Sequence, residues 1–166
     1  MKKLGKGMFT TAYLLPDGRV KLKSCDPIKE CMALGWFPNH RLFPKIERGD
    51  EENVYFMDFY ERPKSLKKTL TPRQYRLYRL LREIGEKYLA WKSYDSLTEH
   101  FEAMATEFKA EREAMLDALQ ACSSYGQDVM FEISPRNVAV KGGKLILLDC
   151  FFMKSAWRKA WMGGNA

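Results

Sequence analysis

Apolar and polar positions change in period along the chain, from alternation in short runs near the N-terminus to recurrence at three and four residues later on. Leu4 to Tyr13 reads as strand, glycine turn and strand, and Val20-Lys21-Leu22-Lys23 alternates strictly. Val20 and Leu22 therefore face one side of a strand and the two lysines face the other. Between them, Leu14-Leu15-Pro16-Asp17-Gly18-Arg19 carries turn chemistry, Pro presetting φ and Gly supplying a positive φ. Asp26-Pro27 predicts a helix start, a capping carboxylate followed by Pro at the first helical position. The short helix expected over Pro27–Leu34 has Ile28, Cys31 and Leu34 as apolar neighbours of Glu30. Pro38 to Pro44 predicts irregular chain. Lys45-Ile46-Glu47 and Asn53 to Tyr60 predict two strands around the turn Arg48-Gly49-Asp50-Glu51.

Composition shifts at Glu61-Arg62-Pro63-Lys64, which predicts a hinge. Thr71-Pro72 then opens a long helix by the same logic of cap and Pro, with Leu77, Leu81, Ile84, Tyr88 and Trp91 on one stripe. Ser96-Leu97-Thr98-Glu99 has the form of a capping box. It predicts a second long helix with Phe101, Met104, Phe108, Met115, Leu119 and Cys122 on its core face, ended by Ser123-Ser124 and Gly126. A strand, a Gly142-Gly143 hairpin and a second apolar strand follow. The tail from Phe151 to Ala166 carries Trp157 and Trp161 one helical turn apart, with Lys154, Arg158 and Lys159 beside them, and predicts an amphipathic helix.

Length and charge narrow the function classes. A chain of 166 residues makes one domain, or one domain of two small lobes, and can bury a proper core. The four cysteines show no C-x-x-C spacing and only His40 and His100 could join them, which argues against zinc and for reduced thiols in a cytoplasmic protein. No apolar run approaches the ~20 residues of a membrane span. The basic N-terminus has no apolar region behind it, so no signal peptide is expected. A net charge of +7 favours nucleic acid, a phosphorylated ligand or an acidic protein surface. Arg73, Arg76, Arg79 and Arg82 recur at every third position and read first as a solvated face, second as a surface for phosphates or an acidic partner.

Candidate chemistry gathers near the C-terminal end. An apolar run breaks at Glu132, Asn137 follows five residues later, and the second strand of the hairpin leads to Asp149. Acid, Asn and Asp on consecutive loop and strands can converge at one end of a small sheet, and such oxygen ligands suit Mg²⁺ and a transferring phosphate. At the other end of the chain, Gly5 and Gly7 let backbone N–H groups approach a phosphate. A strand follows them rather than a helix, which excludes a Walker loop and a Rossmann turn. Taken alone, this G-x-G reads as an ordinary hairpin. Lys21 and Lys23 can look back at the glycine loop, or merely guard a strand against aggregation. Glu30 can pair with one of them, or be solvated.

In this order the parts resemble protein kinases, most closely the compact kinases encoded by bacteriophages, of the short-tailed coliphage early type. Gly5-Lys6-Gly7-Met8-Phe9-Thr10-Thr11-Ala12-Tyr13 resembles the glycine-rich loop, with Thr10 where its third glycine belongs. Met57 to Pro63 resembles the adenine-binding hinge, Glu132 to Asn137 has the spacing of the catalytic loop, and Asp149-Cys150-Phe151 stands for D-F-G. The resemblance implies an α+β fold of minimal bilobal form, with a β-rich N-lobe over 1–60 and a reduced helical C-lobe over 61–166. It implies ATP and Mg²⁺, or Mn²⁺ in its place, with cofactor contacts at Gly5, Gly7, Phe9, Thr10, Lys21, Lys23, Met57 and Phe59. Lys23, with Lys21 second, becomes the phosphate-pairing lysine and Glu30 its helix partner. Asn137 and Asp149 become metal ligands, and Glu132 accepts the proton of the substrate hydroxyl.

The departures from the pattern divide the expectation. Glu132 replaces the catalytic Asp, Ser134 the neighbouring His, and Cys150 the Phe of D-F-G, and nothing resembles A-P-E. A carboxylate moved by one methylene matters, since a ~1 Å misplacement costs on the order of 10²-fold. A strand slipped by one residue would put Leu22 in the lysine's place. One expectation is a transferase passing the γ-phosphate to a Ser/Thr hydroxyl of a host protein in the host cytoplasm. The other is a pseudokinase that keeps the fold and inhibits a host protein through its basic surface. A nucleic-acid binder ranks behind both, because no helix-turn-helix or aromatic-basic RNA motif is present. Membrane binding by the short tail ranks low as well.

Overall fold

The structure, a computed structural model, describes residues 1–91 and 94–163; the side chains of Trp91 and Trp161, expected on two apolar stripes, lie outside the described residues. Its N-terminal part is one antiparallel sheet and a helix. Strands β1 (Lys2–Lys6), β2 (Thr10–Leu14) and β3 (Val20–Ser24) lead into helix α1 (Pro27–Ala33), and β4 (Glu47–Arg48) and β5 (Val54–Met57) complete the sheet in the order β1-β2-β3-β5-β4. The last two strands are shorter than the alternation predicts, leaving out Lys45, Ile46 and Asp58 to Tyr60, and the turn between them is made by Asn53 at a positive φ of 60° and by the Gly49 N–H donating to the Val54 carbonyl. Asp26 caps α1 as expected, its carboxylate accepting from the Ile28 N–H at 3.0 Å. Leu34 does not join the apolar stripe of α1; it is exposed past the helix end, and Met32 is buried in its stead.

The C-terminal part is mostly helical, and the whole is an α+β fold. Helices α2 (Leu66–Thr69), α3 (Pro72–Trp91), α4 (Tyr94–Glu102) and α5 (Lys109–Ala121) precede strands β6 (Val129–Phe131), β7 (Val138–Lys141), β8 (Lys144–Leu147) and β9 (Phe151–Met153), and helix α6 (Lys154–Gly163) ends the described chain. Strands β7 and β8 form a hairpin, while β6 pairs with β9 across it in sequence. Thr71 caps α3, its hydroxyl accepting from the Gln74 N–H. Among the described residues no helix is long and apolar enough to cross a membrane.

Two helix expectations are corrected. Ser96 is not an N-cap, since α4 already includes Tyr94 and Asp95. The second long helix is two helices: Ala105 adopts an extended backbone (φ −56°, ψ 150°), and Thr106–Phe108 form a 3₁₀ turn before α5. A single helix over that stretch would run about 40 Å, beyond what one small core can cover. The break lets α5 pack against α4, and Arg112 donates to the Met104 carbonyl left free at the break. The pattern conceals it, because Phe101, Met104, Phe108, Met115, Leu119 and Cys122 are all buried whether the helix is continuous or not.

One core joins the inner face of the sheet, α1, the helices and the small strands. Its centre is aromatic: Phe131 lies 5.2 Å between ring centroids from both Phe101 and Phe151. Such contacts add about 0.5–1.5 kcal/mol per pair beyond burial. Tyr88 brings its hydroxyl into this core and donates to the Val129 carbonyl at 2.8 Å, tying α3 to β6.

Candidate functional site

The site is built on main chain. Gly142 and Gly143 both have positive φ (57° and 72°), the requirement of the tight turn that joins β7 to β8. The Gly143 carbonyl accepts from the Thr71 N–H at the start of α3, and buried Gln74 accepts from the Leu145 N–H at 3.0 Å, so the hairpin is fastened to the helix. Beyond the hairpin, the Leu148 N–H donates to the Asn137 carbonyl at 2.9 Å and the Glu132 N–H donates to the Cys150 carbonyl at 3.0 Å. Asp149 is the residue between these two clamps. The backbones at Glu132 and Asn137 are thereby tied to the residues on either side of Asp149, with Glu132 exposed, Asn137 half-buried and the Asp149 side chain 32 % exposed.

The cation at this place comes from α1. The Lys29 ammonium is 3.0 Å from Asp149 Oδ1 and 3.0 Å from the Leu148 carbonyl, and its side chain is only 4 % exposed. Burial works against the charge on Lys29, but the Asp149 and Asp26 carboxylates outweigh it and hold its pKa above the ordinary lysine value. Asp26 is the second acid beside Lys29. Burial pushes its carboxyl up to about 7, against the pull of Lys29 and with Asp149 adding repulsion, and its Oδ2 is buried without a partner. Burial likewise pushes the Cys150 thiol far above its usual range, so that side chain packs rather than reacts.

The residues expected at the nucleotide end divide into two groups. Thr10, Ala12 and Leu14 stand opposite Ser24, Leu22 and Val20, and these face α1 and the core. The Thr10 and Ser24 hydroxyls are 2.7 Å apart, and Ser24 Oγ in turn accepts from the Asp26 N–H. The turn after Gly5 and Gly7 brings Phe9 to 5.9 Å from Phe152, two residues beyond Cys150, so the hairpin tip reaches the site. Met57 lies opposite Val20 on the inner face, and Phe59 is exposed in the segment beyond β5.

Lys21 and Lys23 are on the outer face of β3, and the inner position between them is Leu22. Lys21 pairs with Glu51 at 3.1 Å, and Lys23 is exposed with no ion pair among the described residues. Glu30 reaches neither lysine. Its two oxygens take the Tyr55 hydroxyl at 3.0 Å and Arg48 at 3.2 Å. Sequence reasoning missed Lys29 and Asp26 as site residues. The available signal was position, since Lys29 stands among Ile28, Met32 and Ala33 inside the apolar arc of α1, where a solvated lysine does not belong.

The arginine row is largely spent within the fold. Arg73 holds Glu111 through both carboxylate oxygens (2.6 and 3.0 Å), and Arg41 adds a contact at 2.7 Å. Arg76 pairs with Glu107, and Arg82 with Glu86 and the Tyr78 hydroxyl. Burial would raise the Glu111 carboxyl, but the Arg73 hydrogen bonds and the charges of Arg73 and Arg41 hold it down to about 2. An open depression of about 570 Å³ lies on the outer side of this helix, between Arg76, Arg79, Arg82, Glu83 and Glu86. Its charges are mixed rather than uniformly basic.

Comparison with protein-family models gives no match, and comparison with curated proteins gives none either. The donor set can therefore be judged only by its own chemistry. Among the described residues no three of His, Cys, Asp and Glu are grouped for a metal. The donors here are one Asp, one Asn and an exposed Glu. Asp149 has Oδ1 held by Lys29, and its Oδ2 makes no hydrogen bond or ion pair among the described residues. Such a sparse, oxygen-only set fits Mg²⁺, which keeps waters and phosphate oxygens in its shell, and does not fit zinc.

Proposed function

We propose that the chain is a kinase-like protein that binds Mg²⁺–ATP and passes the γ-phosphate to a Ser/Thr hydroxyl of a host protein. The observation that supports this reading is the double main-chain clamp on Leu148-Asp149-Cys150, which ties the backbones of Asn137 and Glu132 to either side of Asp149, with Phe9 of the glycine hairpin packed on Phe152 nearby. Asp149 and Asn137 would hold the metal, whose chemistry when bound is to neutralise phosphate charge. Glu132, exposed at the edge of the site, would orient the attacking hydroxyl and accept its proton. Gly7 closes the glycine hairpin on itself, its N–H donating to the Thr10 carbonyl at 2.8 Å, and Phe9 packs that turn against Phe152.

A second reading has its own support. With Lys21 and Lys23 on the outer face and Glu30 engaged by Tyr55 and Arg48, the expected lysine–glutamate pair is not made. That favours an inactive member acting by docking on a host protein, with exposed Arg79 in the mixed-charge depression of α3 as the candidate contact.

A thermal-shift titration with ATP, with Mg²⁺ or Mn²⁺ and without either, on wild type and Asp149→Ala, tests the first reading. A ligand at ~100 times its dissociation constant adds about 2.7 kcal/mol. The expected result is a metal-dependent rise in melting temperature that Asp149→Ala abolishes, together with transfer of labelled γ-phosphate to protein. A wild type unmoved by millimolar ATP under every metal condition refutes nucleotide binding. Activity in the host that survives Asp149→Ala and is lost in Arg79→Glu moves the function to the docking reading.

A further inference from the structure

We propose that Lys29, carried on helix α1, is the positioning cation of this site, and that the strand lysines Lys21 and Lys23 have no part in it. The inference rests on the nucleotide reading above and names the group that serves it.

The argument begins with which side chains can reach Asp149. On β3 the inner positions are Val20, Leu22 and Ser24, so no strand lysine points toward the site. Lys21 is occupied by Glu51 on the far face. The ammonium that does reach Asp149 crosses from α1, and its second contact, the Leu148 carbonyl, belongs to the residue clamped by Asn137. Lys29 therefore fixes both the backbone before Asp149 and one oxygen of its carboxylate. The other oxygen has no partner among the described residues and is the one that would face a cation. A buried ammonium is costly, and a lysine that served the fold alone could be replaced by an apolar side chain of equal length. Asp26 lies on its other side with an unpartnered buried oxygen, so the site holds two acids and one base. Lys29 thus lowers the negative charge offered to a metal and raises the positive charge offered to a phosphate.

Those two consequences have opposite signs, and a merely structural role does not produce them. The test compares wild type, Lys29→Met and the double variant Lys21→Met/Lys23→Met. Binding of Mn²⁺ alone is followed by the loss of its free-ion electron paramagnetic resonance signal, and binding of Mg²⁺–ATP by calorimetry. In Lys29→Met the affinity for Mn²⁺ alone is expected to rise and that for Mg²⁺–ATP to fall, each by about tenfold, as charge removal at close range dictates. The double variant is expected to match wild type in both. Two affinities falling together in Lys29→Met, or neither moving, overturns the proposal. So does loss of Mg²⁺–ATP binding in the double variant, which decides the matter even where Lys29→Met fails to fold. A wild type that binds no Mg²⁺–ATP instead refutes the nucleotide reading itself.

Discussion

Replacing Glu111 by Gln removes the charge at the centre of the clamp between α3, α5 and the chain before β4. The Glu111 side chain is 1 % exposed, and the fold holds its carboxyl at about 2 against an ordinary 4.5. Each pKa unit is worth about 1.4 kcal/mol, so the ionised carboxylate contributes at most about 3.5 kcal/mol net of its burial at neutral pH. Arg73 and Arg41 are 39 % and 35 % exposed, and water screens part of that attraction. The expected loss for Glu111→Gln at pH 7 is therefore about 2 kcal/mol. The sign with pH follows from the depressed value. The stabilisation is complete above the unfolded pKa near 4.5 and disappears as pH falls toward the folded value near 2. By pH 3.5 wild type has already given up about 1.4 kcal/mol of it, so the difference between the two proteins shrinks by that amount. Urea unfolding at pH 7, 5 and 3.5, read as the midpoint at constant slope, measures this directly. A loss below ~0.5 kcal/mol at pH 7, the typical effect of a neutral surface change, would falsify the clamp, and so would a loss independent of pH.

Three further outcomes follow from single contacts. Asp26→Asn should stabilise by up to about 4 kcal/mol at pH 8 and by less than about 1 kcal/mol at pH 4, because a carboxyl held at about 7 rather than 3.8 weakens the fold as pH rises through that window; a flat difference across pH refutes it. Tyr88→Phe leaves the buried Val129 carbonyl without its side-chain donor and should cost about 1–2 kcal/mol in urea unfolding, whereas no loss would mean the bond is replaced. Gly143→Ala should cost more than Gly142→Ala, each paying about 1–2 kcal/mol for a positive φ. A Cβ on Gly143 also meets Thr71 Cγ2 at 3.1 Å while one on Gly142 meets nothing, so equal melting temperatures refute the docking of this turn on α3.

Local chemistry made much of the fold legible. The Pro-Asp-Gly turn, the Asp26 cap, the Thr71-Pro72 start and the Gly142-Gly143 hairpin each specify a backbone conformation within a few residues, and each is where it was read. The break between α4 and α5 was hidden because burial at three and four residues persists through it. Ser96 looked like a cap because its own neighbours permit one, but Tyr94 and Asp95 before it are already helical. At the site, alternation separated Val20 and Leu22 from Lys21 and Lys23 correctly, but not which face meets the rest of the chain. That face is chosen by packing against α1, and the price is that Leu22 occupies the inner position. The position of Lys29 in the apolar arc of α1 marks it as unusual, but its role is hidden for a similar reason. Its partner is Asp149, 120 positions away, and no local pattern encodes a contact of that span.

The clamp on Leu148-Asp149-Cys150 also bears on how this chain can change. Both of its hydrogen bonds run between main-chain atoms, from Leu148 to Asn137 and from Glu132 to Cys150. Any residue other than proline can supply the N–H groups at 132 and 148, and every residue can supply the carbonyls at 137 and 150. The acid at 149 thus keeps its main-chain anchors while exposed or half-buried neighbours such as those at 132 and 134 are exchanged, which alters the chemistry without breaking the clamp. A site held in this manner can lose an activity, or acquire a different one, by side-chain substitution alone.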